Sequence, residues 1–520
     1  MEKTRVEKSI RNSTVGLIGF AVTTFVQFIT RTVFIKLLGD EYNGVNGLFT
    51  NVLSVLNLAE LGFAYSVAYA LYAPLRNADE RKISGILNFL RKVYYIVAMS
   101  VALVGGLCTP FLRYLIKDVS ALPFSLGKIR IYFLIYLGNT VCSYLFSYKR
   151  TLVTADEKSY IVSLVDNVGN CILYGAQIVL LLLTRNYYAY LFLMLVKTVL
   201  GNLIVTAIAN KKYPYLRKNK SLRIDEKERE KILKNVGALF FHKVGGVAIY
   251  SSATIIISTL VGVVEAGFYS NYLLIVSAVS SLVTLIFNAV TASIGSLCVT
   301  AEIAYQKKTF TRIRYLSNLF SVVAFTCYVS LFNSFIRLWV GKDKTFDFIV
   351  VLLVSLSATL NILRTAPIAF KTAKGIFYED RFKPLIEAGV AIVLGTTLGL
   401  FWGVSGVVLG GILGSAVAVP IEYYALYKHG FQASAKESLF QLFNVMKTLL
   451  FAGGVSSLSY WICAFLPQGI FGFTIKAVLS VSLAVGAYLG FSVKSDAFAY
   501  YKNVCKRILK NVRRKNVQGG

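Results

Sequence analysis

Fourteen apolar stretches, each of about twenty residues or more, follow one another along this 520-residue chain: 14–38, 46–73, 93–115, 129–148, 160–183, 187–209, 236–261, 267–298, 316–340, 346–370, 384–402, 404–427, 442–465 and 470–492. A helix needs about 20 such residues to cross a hydrocarbon core, and backbone in lipid must satisfy its polar groups internally. The pattern predicts an all-α polytopic membrane protein with about 14 transmembrane helices. Hydrophobic residues make up 56% of the chain and charged residues 15%, against about 25% charged in soluble domains, which excludes an ordinary soluble protein and a disordered one. Most connections are very short, so neighbouring spans should form antiparallel hairpins.

Orientation follows from the basic residues between the stretches. With the N-terminus inside, the inner segments hold forty Lys and Arg and the outer segments seven, namely Lys36, Arg113, Lys117, Lys128, Arg185, Lys342 and Lys344. Both termini are therefore expected to be cytoplasmic. The first stretch contains Arg31 and lacks a small-residue cleavage site, so it reads as an uncleaved span rather than a signal peptide. The formal net charge of +30 reads as positive-inside signalling, with the loop 210–235 and the C-terminal tail basic enough to lie against anionic membrane lipids. No nucleic-acid partner is expected.

A shift of 223 residues aligns the first stretch with the seventh: Lys8 with Lys231, Asn12 with Asn235, Leu37 with Leu260, Gly39 with Gly262, Gly44 with Gly267 and Ser54 with Ser277. Six spans per copy preserve orientation, which implies two parallel six-helix bundles with a transport site at their interface. The expected domains are an N-terminal bundle over 1–228, a C-terminal bundle over 229–430, and an additional helix pair with a basic tail over 431–520. Gly395, Gly399 and Gly403, then Gly406, Gly410 and Gly414, form two ladders at four-residue spacing. Such ladders let helix backbones approach closely.

No G-x-x-x-x-G-K-[ST] phosphate loop occurs, and neither His242 nor His429 sits in H-E-x-x-H, so P-loop ATP use and metal-dependent chemistry are not expected. No catalytic residue, metal site or bound cofactor is predicted, and the seven cysteines, without a C-x-x-C pair, read as packing thiols. The outer loops are too short to hold a glycan acceptor, which argues against a membrane-embedded polymerase or ligase.

Charges at membrane depth are costly and therefore functional candidates. Arg31, Lys197, Lys243, Arg364 and Lys447 are the cations read there, and Glu60 and Asp166 the anions. A surplus of cations suits a water-filled cavity for an anionic substrate such as a diphosphate, with Arg31, Lys243, Arg364 and Lys197 as its lining. Glu60, Asp166 and His242 are the candidates for ion coupling or for pairing with those cations, so a proton or sodium gradient could drive the cycle. Arg31 could alternatively snorkel outward, being about 12 Å by helical rise from the turn at Gly39.

The stretch FIKLLGDEYNGVNGLFTNVLSVLNLAELGFAYSVAYAL, residues 34–71, resembles the first two spans of bacterial polysaccharide transporters. These form the O-antigen and capsule repeat-unit (Wzx-type) branch of the multidrug/oligosaccharidyl-lipid/polysaccharide flippase superfamily. The turn with Leu38, Gly39 and Gly44 and the motif with Leu56, Glu60, Leu61, Gly62 and Phe63 carry the resemblance. It implies alternating-access flipping of undecaprenyl-diphosphate-linked oligosaccharide repeat units across a bacterial plasma membrane, for capsule, O-antigen or teichoic-acid assembly. It implies a cationic central cavity, to which Arg31 is matched first, and glycan polymerase and chain-length machinery as partners. The rival within the superfamily is a small-molecule or drug antiporter.

Overall fold

A computed structural model describes residues 5–57, 63–117, 119–145, 147–219, 221–376, 378–504 and 506–507. Every extended regular element among them is a helix. In chain order these are α1 (Arg5–Leu38), α2 (Asp40–Leu56), α3 (Phe63–Arg76), α4 (Glu80–Cys108), α5 (Leu126–Tyr144), α6 (Tyr148–Ala155), α7 (Ser159–Thr184), α8 (Tyr187–Lys212), α9 (Tyr215–Lys218), α10 (Glu226–Leu260), α11 (Val263–Thr300), α12 (Ile303–Trp339), α13 (Phe348–Leu363), α14 (Thr365–Lys374), α15 (Lys383–Ala425), α16 (Ala435–Ala464) and α17 (Ile470–Ser492). The protein is an all-α polytopic membrane protein. Ten of these elements are long and apolar enough to cross a membrane, or eleven if the bent pair α5 and α6 is one span, among the described residues. Large apolar side chains such as Leu183, Phe401, Ile470 and Phe471 stand 76–81% exposed, as suits a surface solvated by lipid rather than water.

Contacts divide the chain into Met1–Ser270 and Asn271–Gly520. In the first unit α1 packs along α7, α5 lies between α4 and α8, and α2 crosses α10. Polar caps start the helices where the apolar stretches begin: Asp79 Oδ1 accepts from Lys82 N at 2.9 Å, and Asn186 Oδ1 accepts from Tyr188 N at 2.9 Å and Ala189 N at 3.3 Å. Each such cap satisfies donors that the helix itself leaves unpaired. An apolar core at one end joins Val67 and Leu71 of α3, Ile83, Ile86 and Leu90 of α4 and Leu152 of α6.

The shift of 223 residues has a structural counterpart within this unit. Gly39 (φ +105°) breaks the chain between α1 and α2, and its match Gly262 lies between α10 and α11. The next matched pair, Gly44 and Gly267, touch each other: a Cβ on Gly267 would stand 2.9 Å from Gly44 N, and one on Gly44 would stand 1.8 Å from Val263 O. Asn43 Nδ2 donates to Gly267 O at 3.0 Å across the same crossing. Matched residues that meet lie on a local two-fold axis, and only glycine admits backbones this close.

In the second unit α12 is central, packed by α13, α16 and α17, while α15 lies on α13 and α16. The stretches 384–402 and 404–427 both fall in α15, which is interrupted at Gly403 (φ +56°, ψ −134°). A Cβ on Gly406 would meet Leu398 O at 2.1 Å, one on Gly410 would meet Gly395 N at 2.2 Å, and one on Gly414 would meet Ala391 Cβ at 3.1 Å. Positions after the break therefore pair in reverse order with positions before it. The two glycine ladders face each other as the seam of an antiparallel hairpin, so this one element supplies two of the fourteen stretches.

Candidate functional site

Arg31 sits in α1, two turns before the break at Gly39. The helix is apolar around it, and the side chain is half-buried. Its Nη2 donates to Ser270 Oγ at 2.5 Å, and Ser270 Oγ in turn donates to Gly267 O at 2.7 Å. Tyr136 of α5 and Tyr187 and Tyr190 of α8 lie within electrostatic range of the guanidinium. Phe34, one turn along α1, packs on Tyr187 and Tyr190 at centroid distances of 5.7 and 4.9 Å. Tyr187 also stacks edge-on to Tyr42 at 5.0 Å and Tyr132 at 4.7 Å. The hydroxyls of Tyr136 and Tyr187 are buried beside one another. The guanidinium thus projects from α1 onto the start of α11, beside an aromatic wall. A planar five-donor cation in such a setting can grip an anionic oxygen group, and the tyrosine faces can pack on a sugar ring.

Asp166 of α7 and Lys197 of α8 form a separate group. Gly19 of α1 abuts Asn167, which puts Asp166 about 18 Å along α1 from Arg31. Arg150 of α6 holds Asp166 by two bonds of 2.9 and 2.8 Å from Nη1, and Lys197 lies within electrostatic range of the same carboxylate. Asp166 is therefore a charge partner. Arg150 falls outside the apolar stretches in the hydropathy reading and enters only through the short α6. Its Nε donates to Asn202 Oδ1 at 2.8 Å, while Asn202 Nδ2 donates to the carbonyls of Cys142, Ser143 and Leu145 at 3.1–3.2 Å. Asn202 so satisfies the carbonyls left open where α5 ends. Replacing Asn202 by leucine should lower stability by about 1–3 kcal/mol, to be measured as a drop in the unfolding midpoint in detergent.

Arg364 follows α13 in the second unit, 7% exposed. Its Nη1 and Nη2 donate to Glu387 Oε1 and Oε2 at 2.5 and 2.9 Å, and its Nε to Glu422 Oε2 at 3.0 Å. Ser415 Oγ donates to Glu387 at 3.0 Å, Lys383 pairs with Glu422 at 3.5 Å, and Lys371 pairs with Asp380. Three cations and three carboxylates, all buried, form a neutral island across the open end of the α15 hairpin. The charge inventory read from the sequence omits Glu387 and Glu422, although both lie inside apolar stretches at similar distances from Gly403. Arg364 therefore adds no net charge where it sits.

Glu60 lies outside the described residues. The backbone of His242 and Lys243 runs within α10, and their side chains lie outside the described ones. Lys447 of α16 rests over the Phe491 ring at 5.0 Å. Arg337 and Lys476, two further cations within spans, also escape the sequence reading. Of the site residues expected from sequence, the structure brings Asp166 and Lys197 together and sets Arg31 apart from both.

No protein-family model and no curated protein sequence matches the chain. Solved structures do match it in fold. The lipid II flippase MurJ in an inward closed conformation superposes with a TM-score of 0.69 at 12% identity, over 92% of this chain and 99% of that one. An inward-facing multidrug resistance MATE transporter of the MOP superfamily gives 0.59 at 11%, over 81% and 99%. The Vibrio cholerae MATE transporter VcmN gives 0.55 at 14%, over 82% and 98%. The chain shares the fold of these transporters.

Proposed function

We propose that the chain is a flippase that moves undecaprenyl-diphosphate-linked oligosaccharide repeat units from the inner to the outer leaflet of a bacterial plasma membrane, with both termini cytoplasmic. The observation that carries this reading is the Arg31 arrangement. A guanidinium at membrane depth, hydrogen-bonded to a hydroxyl and flanked by tyrosines, fits a diphosphate joined to a sugar better than an organic cation. The MurJ structure, matched over nearly the whole chain, is described as a lipid II flippase, which supports a lipid-linked cargo. In this reading Arg31 receives the diphosphate while the prenyl chain stays in lipid, and the two repeat copies rock about the site. Lys197 and Lys243 extend the basic path, Glu60 and His242 remain the coupling candidates for a proton or sodium gradient, and a glycan polymerase with its chain-length machinery takes the product.

Reconstitution into liposomes carrying a fluorescent undecaprenyl-diphosphate oligosaccharide tests this. Protein-dependent loss of protection from a membrane-impermeant reagent, accelerated by an imposed proton or sodium gradient, is the expected result. The MATE matches favour a second reading, a small-molecule antiporter. No crossing of any such lipid, together with gradient-driven uptake of an organic cation, would establish that reading in place of the first.

A further inference from the structure

The second unit holds a polar cavity at the end of α13 opposite Arg364. Its volume is about 220 Å³, and α12, α13, α16 and the start of α17 enclose it. Among the described residues two cations line it, Arg337 and Lys476, and no carboxylate does. Lys476 is at the floor, 8% exposed, and has no hydrogen bond or ion pair among the described residues; Arg337, at the exposed rim, has none either. Among the buried cations described in this unit Lys476 stands apart, since Arg364, Lys371 and Lys383 are all neutralised by carboxylates.

A buried ammonium without a counter-charge is costly, and charges within spans that face a polar cavity mark ligand or ion sites. The other polar groups point the same way. Ser334 and Gln468 line the cavity and offer further donors. Asn333 is already committed, accepting from Tyr272 OH at 2.6 Å and donating to Phe346 O at 2.9 Å, which fixes the wall. Gly469, at the N-terminus of α17, also lines the cavity, and no side chain caps that helix, so its dipole adds positive potential. Beside Arg337 the exposed lining is apolar: Leu338, Phe348 and Tyr460 are 43–44% exposed, on a surface solvated by lipid. An anion that reaches this cavity therefore comes from the membrane interface.

We infer that this cavity is a binding site for a phosphate group carried by an anionic lipid headgroup, with Lys476 as the buried contact and Arg337 as the rim contact. It is separate from the Arg31 arrangement, and it stands whether or not the chain transports lipid-linked glycan.

The test follows thermal unfolding of the full chain in dodecyl maltoside, with dioleoylphosphatidylglycerol, dioleoylphosphatidylcholine, or inorganic phosphate against chloride at equal ionic strength. Phosphatidylglycerol should raise the midpoint of the native protein and phosphatidylcholine should not. In Lys476→Met the lipid concentration at half effect should rise about tenfold or more, and the lipid-free midpoint should equal or exceed that of the native protein. Arg337→Gln, at an exposed rim where folding is insensitive, should weaken the response by a smaller factor and serves as the second variant should Lys476→Met not fold. A response to inorganic phosphate as large as that to phosphatidylglycerol would keep the anion site and overturn the lipid as its source. An equal lipid response in both variants, or none in the native protein, would overturn the site itself.

Discussion

Export through the Arg31→Ala protein should fall by about two orders of magnitude while the amount of protein in the membrane stays unchanged. The magnitude follows from removing charge-assisted hydrogen bonds to a diphosphate in a water-poor site, about 3 kcal/mol, which is about a hundredfold. The unchanged level follows from what Arg31 leaves behind. Ser270 Oγ keeps its own bond to Gly267 O at 2.7 Å, and the α2–α11 crossing retains Asn43 on Gly267 O. Arg31→Lys keeps the charge and loses the planar fork, and should fall in between, about tenfold. Liposome flipping rates and immunoblots of the same membranes read both quantities. A loss of flipping that merely tracks protein level would make Arg31 a packing residue, and normal export would remove it from the mechanism.

The helices are legible in the sequence because apolar runs of span length admit one solution in lipid. The glycine ladders are legible for a related reason: a side chain at Gly410 would collide with backbone at 2.2 Å, so the spacing itself encodes the seam. The match of Gly44 with Gly267 gains meaning only in three dimensions, where the two residues touch. Charges were harder to read. A window of about twenty residues averages a single carboxylate into apolar surroundings, and so Glu387 and Glu422 vanish into stretches 384–402 and 404–427. Their role depends on Arg364, 23 and 58 residues away in sequence, a contact no local pattern reports. Arg150 hides for the opposite reason, since α6 is short and amphipathic and reads as an inner loop. Lys476 shows the same limit: its spacing resembles that of Lys447, yet one lies over a phenyl ring and the other faces a cavity.

The neutral island around Arg364 leads to the second large effect. Arg364→Met should destabilise the protein by about 3–5 kcal/mol, because it strands the buried Glu387 carboxylate and weakens the pairing of Glu422. Glu422 retains Lys383 at 3.5 Å, but among the described residues Glu387 keeps only the Ser415 hydroxyl. Removing the stranded charge as well should reverse most of that loss: Arg364→Met combined with Glu387→Leu leaves balanced charges, and an apolar replacement of a buried pair is often neutral or stabilising. Unfolding midpoints in detergent and steady-state levels in the membrane check the ordering, with the single variant lowest and the double variant close to the native protein. The pair also separates two roles for Arg364. A clamp across the hairpin's open end predicts that the folded double variant flips lipid-linked glycan at near-native rate, whereas an arginine that must contact substrate predicts a folded and inactive one. The geometry favours the clamp, since all three nitrogens of the guanidinium donate to carboxylates within 3.0 Å and offer little to an incoming diphosphate.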